Sequence, residues 1–308
     1  MKKILLIPDL PNWALDSHAK EIQKRLTEYD IDICYSRGTN VAKKSLSYDC
    51  VYVMDPYGNI SYPPPSKTII GLRNEFMYLN HPLGAKGLYE QGLSGYGTSI
   101  KDKCCMFHVV NKRQMEAFKD VVIEKPLLLV QHGVNTDIEH FNRDKFLQKI
   151  NKVLKVGSSG RHNSLGGKGF NAIEEACKRA HLQHDKTRYK GPRLIKEQMP
   201  MFYNDIDVFV CLSKTEGLNN CIIEAGAMRV PVISTYAGAA PEMIEDGVNG
   251  LLIDRDVGSL TIALNRLKDD KMRLSMGNKF YNEIMANWTW KTRIEDFRKM
   301  FNQFFEMQ

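Results

Sequence analysis

The chain has 308 residues, enough for two domains of ordinary size. Its 43% hydrophobic and 26% charged content is that of a globular protein and excludes a disordered chain, while 22 glycines without a three-residue period exclude a collagen-like repeat. With 43 Lys and Arg against 36 Asp and Glu, the formal net charge of +7 favours anionic partners such as nucleotides and phosphates, but no basic run of five or more residues supports nucleic acid as a partner.

The opening MKKILLIPDLPNW carries lysines and then an apolar run shorter than the roughly 7–15 residues of a signal peptide, so Lys3–Pro8 is expected to be a buried strand. Ala19, Ile22 and Leu26 are spaced by three and four, which predicts an amphipathic helix over Asp16–Tyr29, with Asp16 or Ser17 as its cap. Strands are expected at Ile31–Tyr35, Cys50–Met54 and Lys67–Gly71, and the three prolines at 63–65 place a loop over Tyr57–Ser66. His81–Ser99 is rich in glycine and shows no period. Cys105–Val110 reads as a strand, Asn111–Lys119 as a helix and Leu127–Val130 as a strand.

The order then restarts near Leu147–Asn151. Lys152–Val156 is a strand that runs into a glycine-rich segment, 157–169, and a helix from Phe170 to Ala180. A strand near Arg188–Lys190, a helix to Tyr203, a strand at Asp207–Leu212, a helix at Asn219–Met228 and a strand at Val230–Ser234 follow. A short helix from Pro241, a strand at Gly250–Ile253, two further helices and a last one over Trp290–Phe305 complete the chain. Strands alternating with helices mean an α/β protein with parallel sheets covered on both faces.

Seven cysteines, Cys34, Cys50, Cys104, Cys105, Cys177, Cys211 and Cys221, form no C-x-x-C and sit mostly in apolar segments, as expected of free thiols in a reducing cytoplasm. Cys104, Cys105 and His108 have no second pair, so no zinc site is expected. The segment 157–169 follows a strand and opens a helix, the setting for phosphate binding, although Gly169 after Lys168 breaks the P-loop pattern.

The strongest signal lies in 203–253, YNDIDVFVCLSKTEGLNNCIIEAGAMRVPVISTYAGAAPEMIEDGVNGLLI. A buried strand ends at Leu212, and the polar loop Ser213–Glu216 follows at its carboxyl end, where α/β sheets place ligands. Gly217 lets the backbone approach a ligand closely. Asn219 or Asn220 can cap the next helix, whose free N–H groups attract an anion. Glu216 precedes that helix, and Glu224 lies within it after seven intervening residues. Two carboxylates beside such a helix start suit sugar or ribose hydroxyls, with a diphosphate between them.

This pattern resembles the E-x7-E motif of retaining nucleotide-sugar glycosyltransferases, in particular glycosyltransferase family 4 with the GT-B fold. VLKVGSSGRHNSLGGKGF, LLVQHGVNTDIEHF and NWTWKTRIEDFRKMF resemble that family's phosphate loop, interdomain connection and closing segment. The resemblance is good over 127–308 and weak over 1–126. It implies two Rossmann-like domains facing each other across a cleft: a short acceptor-side domain at 1–147, a nucleotide-sugar-binding domain at 148–288, and a final helix at 289–308 crossing back to the first domain.

Carried over by position, the resemblance gives catalysis to Glu216, Lys168 and Arg161. Donor contacts fall to Gly217, Leu218, Asn219, Asn220, Glu224, Gly191 and Leu194, with Glu224 on the ribose and Gly191–Leu194 beside the base. Asn12, Trp13 and Arg73 are expected on the acceptor side. The implied reaction is retaining, metal-independent transfer of a hexose from a UDP- or GDP-sugar, with no cofactor beyond that co-substrate. The acceptor stays open among a glycan, a lipid-linked glycan, a protein and a small molecule. A nucleotide-sugar epimerase and a non-catalytic nucleotide-sugar-binding protein are the alternative readings. The aromatic final stretch, Trp288, Trp290, Phe297, Phe301, Phe304 and Phe305, fits packing across the domain junction or a membrane surface. A cytoplasmic protein, with peripheral membrane association left open, is therefore expected.

Overall fold

The computed structural model describes residues 1–36, 39–54, 56, 60–91, 99–136, 153–159, 167–186 and 198–308. The chain divides into two compact units: unit 1 is Met1–His132 with Arg293–Gln308, and unit 2 is Gly133–Thr292. The boundary expected at 147–148 falls outside the described residues.

Unit 1 holds a six-stranded parallel sheet of β1 (Lys3–Ile7), β2 (Asp30–Ile33), β3 (Cys50–Val53), β4 (Thr68–Leu72), β5 (Met106–Val109) and β6 (Leu127–Leu129), ordered β2-β1-β3-β4-β5-β6. The central strands β3, β4 and β5 are buried at every position, which is why they read as near-continuous apolar runs, broken only by Thr68 and His108, rather than alternating ones. The first helix spans Ala14–Arg25 and buries Ala19 and Ile22. It begins earlier than its apolar spacing implies, and neither Asp16 nor Ser17 caps it: Trp13 takes the N-cap position without a side-chain bond. Asp16 lies in the first turn, where its carboxylate accepts the Asn12 amide at 2.8 Å and Tyr35 Oη at 2.8 Å and pairs with Lys20 at 2.7 Å. The glycine-rich stretch also holds a helix, Gly84–Gln91, whose buried Ala85, Leu88 and Tyr89 are spaced by three and one.

Unit 2 holds a five-stranded parallel sheet of β7 (Lys155–Ser158), β8 (Gln183–Lys186), β9 (Val208–Cys211), β10 (Val232–Ser234) and β11 (Leu251–Leu252), ordered β11-β10-β9-β7-β8. The strand expected at Arg188–Lys190 lies outside the described residues. The described strand β8 precedes it with the sequence QHDK, a polar edge strand without apolar alternation. The helix Phe170–Arg179 packs Phe170, Ile173, Ala176 and Cys177 into a core with Val156, Val208, Val210 and Leu212.

The two sheets share a pattern. In each, the second strand lies on one side of the first and the later strands extend on the other, so the order reverses between β1 and β3 and again between β7 and β9. In open α/β sheets the carboxyl ends of the strands at such a reversal are where ligands bind.

The last helix, Trp290–Glu306, turns its apolar face into unit 1: Phe297, Phe301 and Phe304 are fully buried. Phe301 packs edge-on against Tyr29 and Tyr52, Arg298 pairs with Glu28 at 2.6 Å, and Tyr29 donates to Asn302 at 2.5 Å. Those aromatic side chains are core and present no face to a membrane. Among the described residues no helix is long and apolar enough to cross one.

Candidate active site

At the reversal in unit 2, the loops after β7 and β9 bring Lys168 and Glu216 together. Their side chains form an ion pair, and Ser213 Oγ donates to the same Glu216 oxygen at 2.7 Å. Gly169 sets the position of Lys168: it starts the helix Phe170–Arg179 with φ 70°, and a Cβ there would lie 2.8 Å from the Leu212 carbonyl. Burial opposes the Lys168 charge, but the charge and hydrogen bond of Glu216 outweigh it and hold the ammonium above the ordinary lysine pKa.

Glu216 leads into the helix Asn220–Ala227 through Gly217, Leu218 and Asn219, all buried. Asn219 takes the N-cap position with φ 64°, yet its side chain caps nothing. Its Nδ2 donates to the Ala237 carbonyl at 3.5 Å, and its buried Oδ1 accepts no hydrogen bond among the described residues. Asn220 is the first helical residue rather than the cap. Gly238, at φ 60°, presses on this loop: a Cβ there would meet the Gly217 carbonyl at 2.3 Å and Asn219 Oδ1 at 2.5 Å.

Glu224 lies one turn into the helix and accepts a hydrogen bond from Tyr203 Oη at 2.8 Å. Burial, then the charge of Glu224, pushes the Tyr203 phenol well above its ordinary pKa, so Tyr203 stays a donor. Arg161, Gly191 and Leu194 lie outside the described residues. Sequence reasoning placed Ser213 in the ligand-side loop without a role and missed Tyr203 and Arg255. Arg255 donates from Nε to the Leu212 carbonyl at 3.0 Å and from Nη2 to the Gly167 carbonyl at 2.8 Å, tying the end of β9 to the glycine-rich segment. The only sequence signal for Arg255 is its place just after β11.

In unit 1, Asn12 and Trp13 lie on the turn from β1 into the first helix, and Arg73 directly follows β4. Asn12 is exposed and has φ 61°. Arg73 is buried. Its Nη2 donates to His18 Nδ1 at 2.9 Å and His132 Nδ1 at 3.0 Å, and its Nη1 to Tyr52 Oη at 3.3 Å. Tyr52 Oη in turn lies 2.6 Å from His108 Nε2. None of these partners was expected from the sequence.

Two parallel-sheet α/β units of this topology match the GT-B fold. Residues 135–270 match the family model for Glycosyl transferases group 1. The fold likeness extends over the whole chain. Sucrose-phosphate synthase from Thermosynechococcus elongatus superposes with a TM-score of 0.74 at 12% identity, covering 100% of both chains. Anabaena HepE in complex with UDP-glucose superposes with a TM-score of 0.72 at 12% identity, covering 98% of this chain and 100% of that one.

Among curated proteins, the GDP-mannose-dependent alpha-(1-6)-phosphatidylinositol monomannoside mannosyltransferase of Mycolicibacterium smegmatis is 35% identical over 106 residues, 32% of this chain and 28% of the relative. The capsular polysaccharide biosynthesis glycosyltransferase CapM of Staphylococcus aureus is 28% identical over 155 residues, 50% of this chain and 38% of the relative. The chain thus spans well under half the length of these curated relatives.

Proposed function

We propose that this protein is a retaining glycosyltransferase that moves a hexose from a UDP- or GDP-sugar to an acceptor hydroxyl. The observation that carries the reading is the Lys168–Glu216 pair beside the start of the helix Asn220–Ala227. Bond breaking at the sugar's anomeric carbon leaves negative charge on the departing diphosphate and positive charge on the sugar. Lys168 and the helix start meet the first charge, and Glu216 faces the second. Arg161 is assigned to the diphosphate alongside Lys168.

The remaining donor contacts follow from the same elements. The amides of Gly217, Leu218, Asn219 and Asn220 serve the sugar and phosphate oxygens, and Glu224, held by Tyr203, the ribose hydroxyls. The buried Asn219 Oδ1 supports this reading, because a buried acceptor that takes no donor among the described residues suits a ligand hydroxyl. Gly191 and Leu194 are assigned to the base. Lys168 supplies positive charge from the protein itself, so a divalent metal is not required. Structures of HepE hold UDP and UDP-glucose, and the Mycolicibacterium relative is named for GDP-mannose, so both nucleotide classes belong in the test. The reading places the protein in the cytoplasm, where nucleotide sugars are the donors it would meet.

Thermal unfolding against UDP, GDP and their sugars, with and without EDTA, tests the proposal. A ligand at a hundred times its Kd adds about 2.7 kcal/mol. A shift with one nucleotide class that survives EDTA is expected, and the absence of any shift overturns the reading. Anomeric analysis of the product then decides retention.

A further inference from the structure

Arg73 is a buried guanidinium with no carboxylate partner among the described residues. Buried charges are ordinarily paired, because removing one from water without a counter-charge is costly. Two buried carboxylates of unit 1 pair with other cations, Glu75 with Arg113 at 3.6 Å and Asp16 with Lys20 at 2.7 Å.

The groups around Arg73 hold it without neutralising it. Both imidazoles accept its N–H groups at Nδ1, so both are neutral at that nitrogen. Their ring centroids lie 3.9 Å apart, with the planes tilted by 35°. Behind them, His108 Nδ1 donates to the Val109 carbonyl, which only accepts. His108 Nε2 is therefore an acceptor for Tyr52 O–H, and the Tyr52 oxygen accepts from Arg73. Burial, then the charge of Arg73, pushes the His108 pKa down to about 3, so this arrangement holds at neutral pH. The result is a fixed cation whose partners occupy three of its five N–H groups.

Its position points to a ligand. Arg73 follows β4, His18 lies on the helix after β1, and His132 lies just beyond β6, so three elements bring these side chains to the carboxyl side of the sheet, where open α/β sheets bind ligands. We infer that Arg73, framed by His18 and His132, is the seat for an oxyanion, a phosphate or carboxylate group carried by the acceptor. Guanidinium is the side chain best matched to such groups. Assigning the anion to an acceptor rests on the proposed transferase reading; the seat itself does not.

The test uses histidine side-chain NMR of the full chain, with the His18 and His132 signals assigned through His18→Gln and His132→Gln. Inorganic phosphate and malonate are titrated separately. Saturable movement of both signals is expected with at least one anion, and the active anion identifies the group. The same movement is expected in Lys168→Ala, which removes the ammonium of unit 2 as a source of the effect. Arg73→Gln is expected to weaken binding at least about tenfold. If that variant fails to fold, Arg73→Lys, which keeps the charge but loses the planar fork, carries the comparison. No saturable movement with either anion overturns the seat, as does wild-type affinity in the arginine variant. Phosphate binding here without any nucleotide response in unit 2 leaves the seat standing and sinks the transferase reading.

Discussion

Burial opposes the ammonium of Lys168, and Glu216 holds it charged nonetheless. If that charge acts on the leaving diphosphate, Lys168→Ala and Glu216→Ala each lower turnover by more than about tenfold, because each removes an interaction strengthened in the transition state. Glu224→Ala is expected instead to raise donor KM with little change in kcat, since a ribose contact persists from ground state to transition state. Steady-state kinetics separate the two patterns, and wild-type rates in the first two variants reject the assignment. A second residue, Asp16, bears on stability. Burial alone would raise its pKa, but the hydrogen bonds from Lys20, the Asn12 amide and Tyr35 outweigh that and hold it below its ordinary 3.8. A carboxylate depressed in this way stabilises the fold above its unfolded pKa, and the contribution is lost as pH falls through the folded value. Its partner Tyr35 is raised to about 12 by burial and then by Asp16, so its contribution is full below 10.0 and lost as pH rises through about 12. Asp16→Ala is expected to cost about 2 kcal/mol at pH 7. The gap between the urea midpoints of wild type and variant should close as pH falls below 3.8, and should narrow as pH rises above 10.0 and the Tyr35 contribution fades.

Two loops and a turn build the unit 2 site, and each has a substitution that addresses it. Gly238→Ala drives a methyl group toward the Gly217 carbonyl and Asn219 Oδ1 at a backbone angle that strains any other residue. It is expected to cost about 1–3 kcal/mol and to raise donor KM by displacing residues 216–219. Arg255→Ala releases the carbonyls of Gly167 and Leu212. Arg255 is exposed, so its loss should leave the urea midpoint nearly unchanged while raising donor KM. A KM unmoved by the arginine variant would mean the glycine-rich segment holds its place without that tie. The same elements show what the sequence revealed. Apolar runs gave away the buried strands, and Asn219 or Asn220 as a cap marked the start of the helix that carries Glu224, because burial and capping act locally. The edge strand Gln183–Lys186 escaped because an edge carries no apolar signature. Arg255 escaped because it acts on a residue 88 positions away. Arg73 was legible, but its partners His18, Tyr52, His108 and His132 escaped most fully, since they come from four separate elements and share no spacing.

The two units repeat one topological arrangement, a parallel sheet whose strand order reverses after its first strand. Unit 1 adds a feature of its own: its core is completed by residues from the far end of the chain. Phe301 on the last helix packs against Tyr29 and against Tyr52, whose hydroxyl accepts from Arg73. The final helix therefore supports the hydrophobic core and, through Tyr52, the guanidinium. Phe301→Ala is expected to cost about 3–5 kcal/mol, the ordinary result of emptying a fully buried aromatic site. Amide exchange should quicken in β1 and β3, while β9 and β10 in unit 2 keep their protection. The His18 and His132 signals should move as well, because a loosened Tyr52 no longer fixes Arg73 between the two imidazoles. Equal acceleration in both sheets would mean that the units unfold as one. Unmoved histidine signals in a destabilised protein would mean that His18 and His132 hold Arg73 without the phenol, and that the aromatic helix serves only the core.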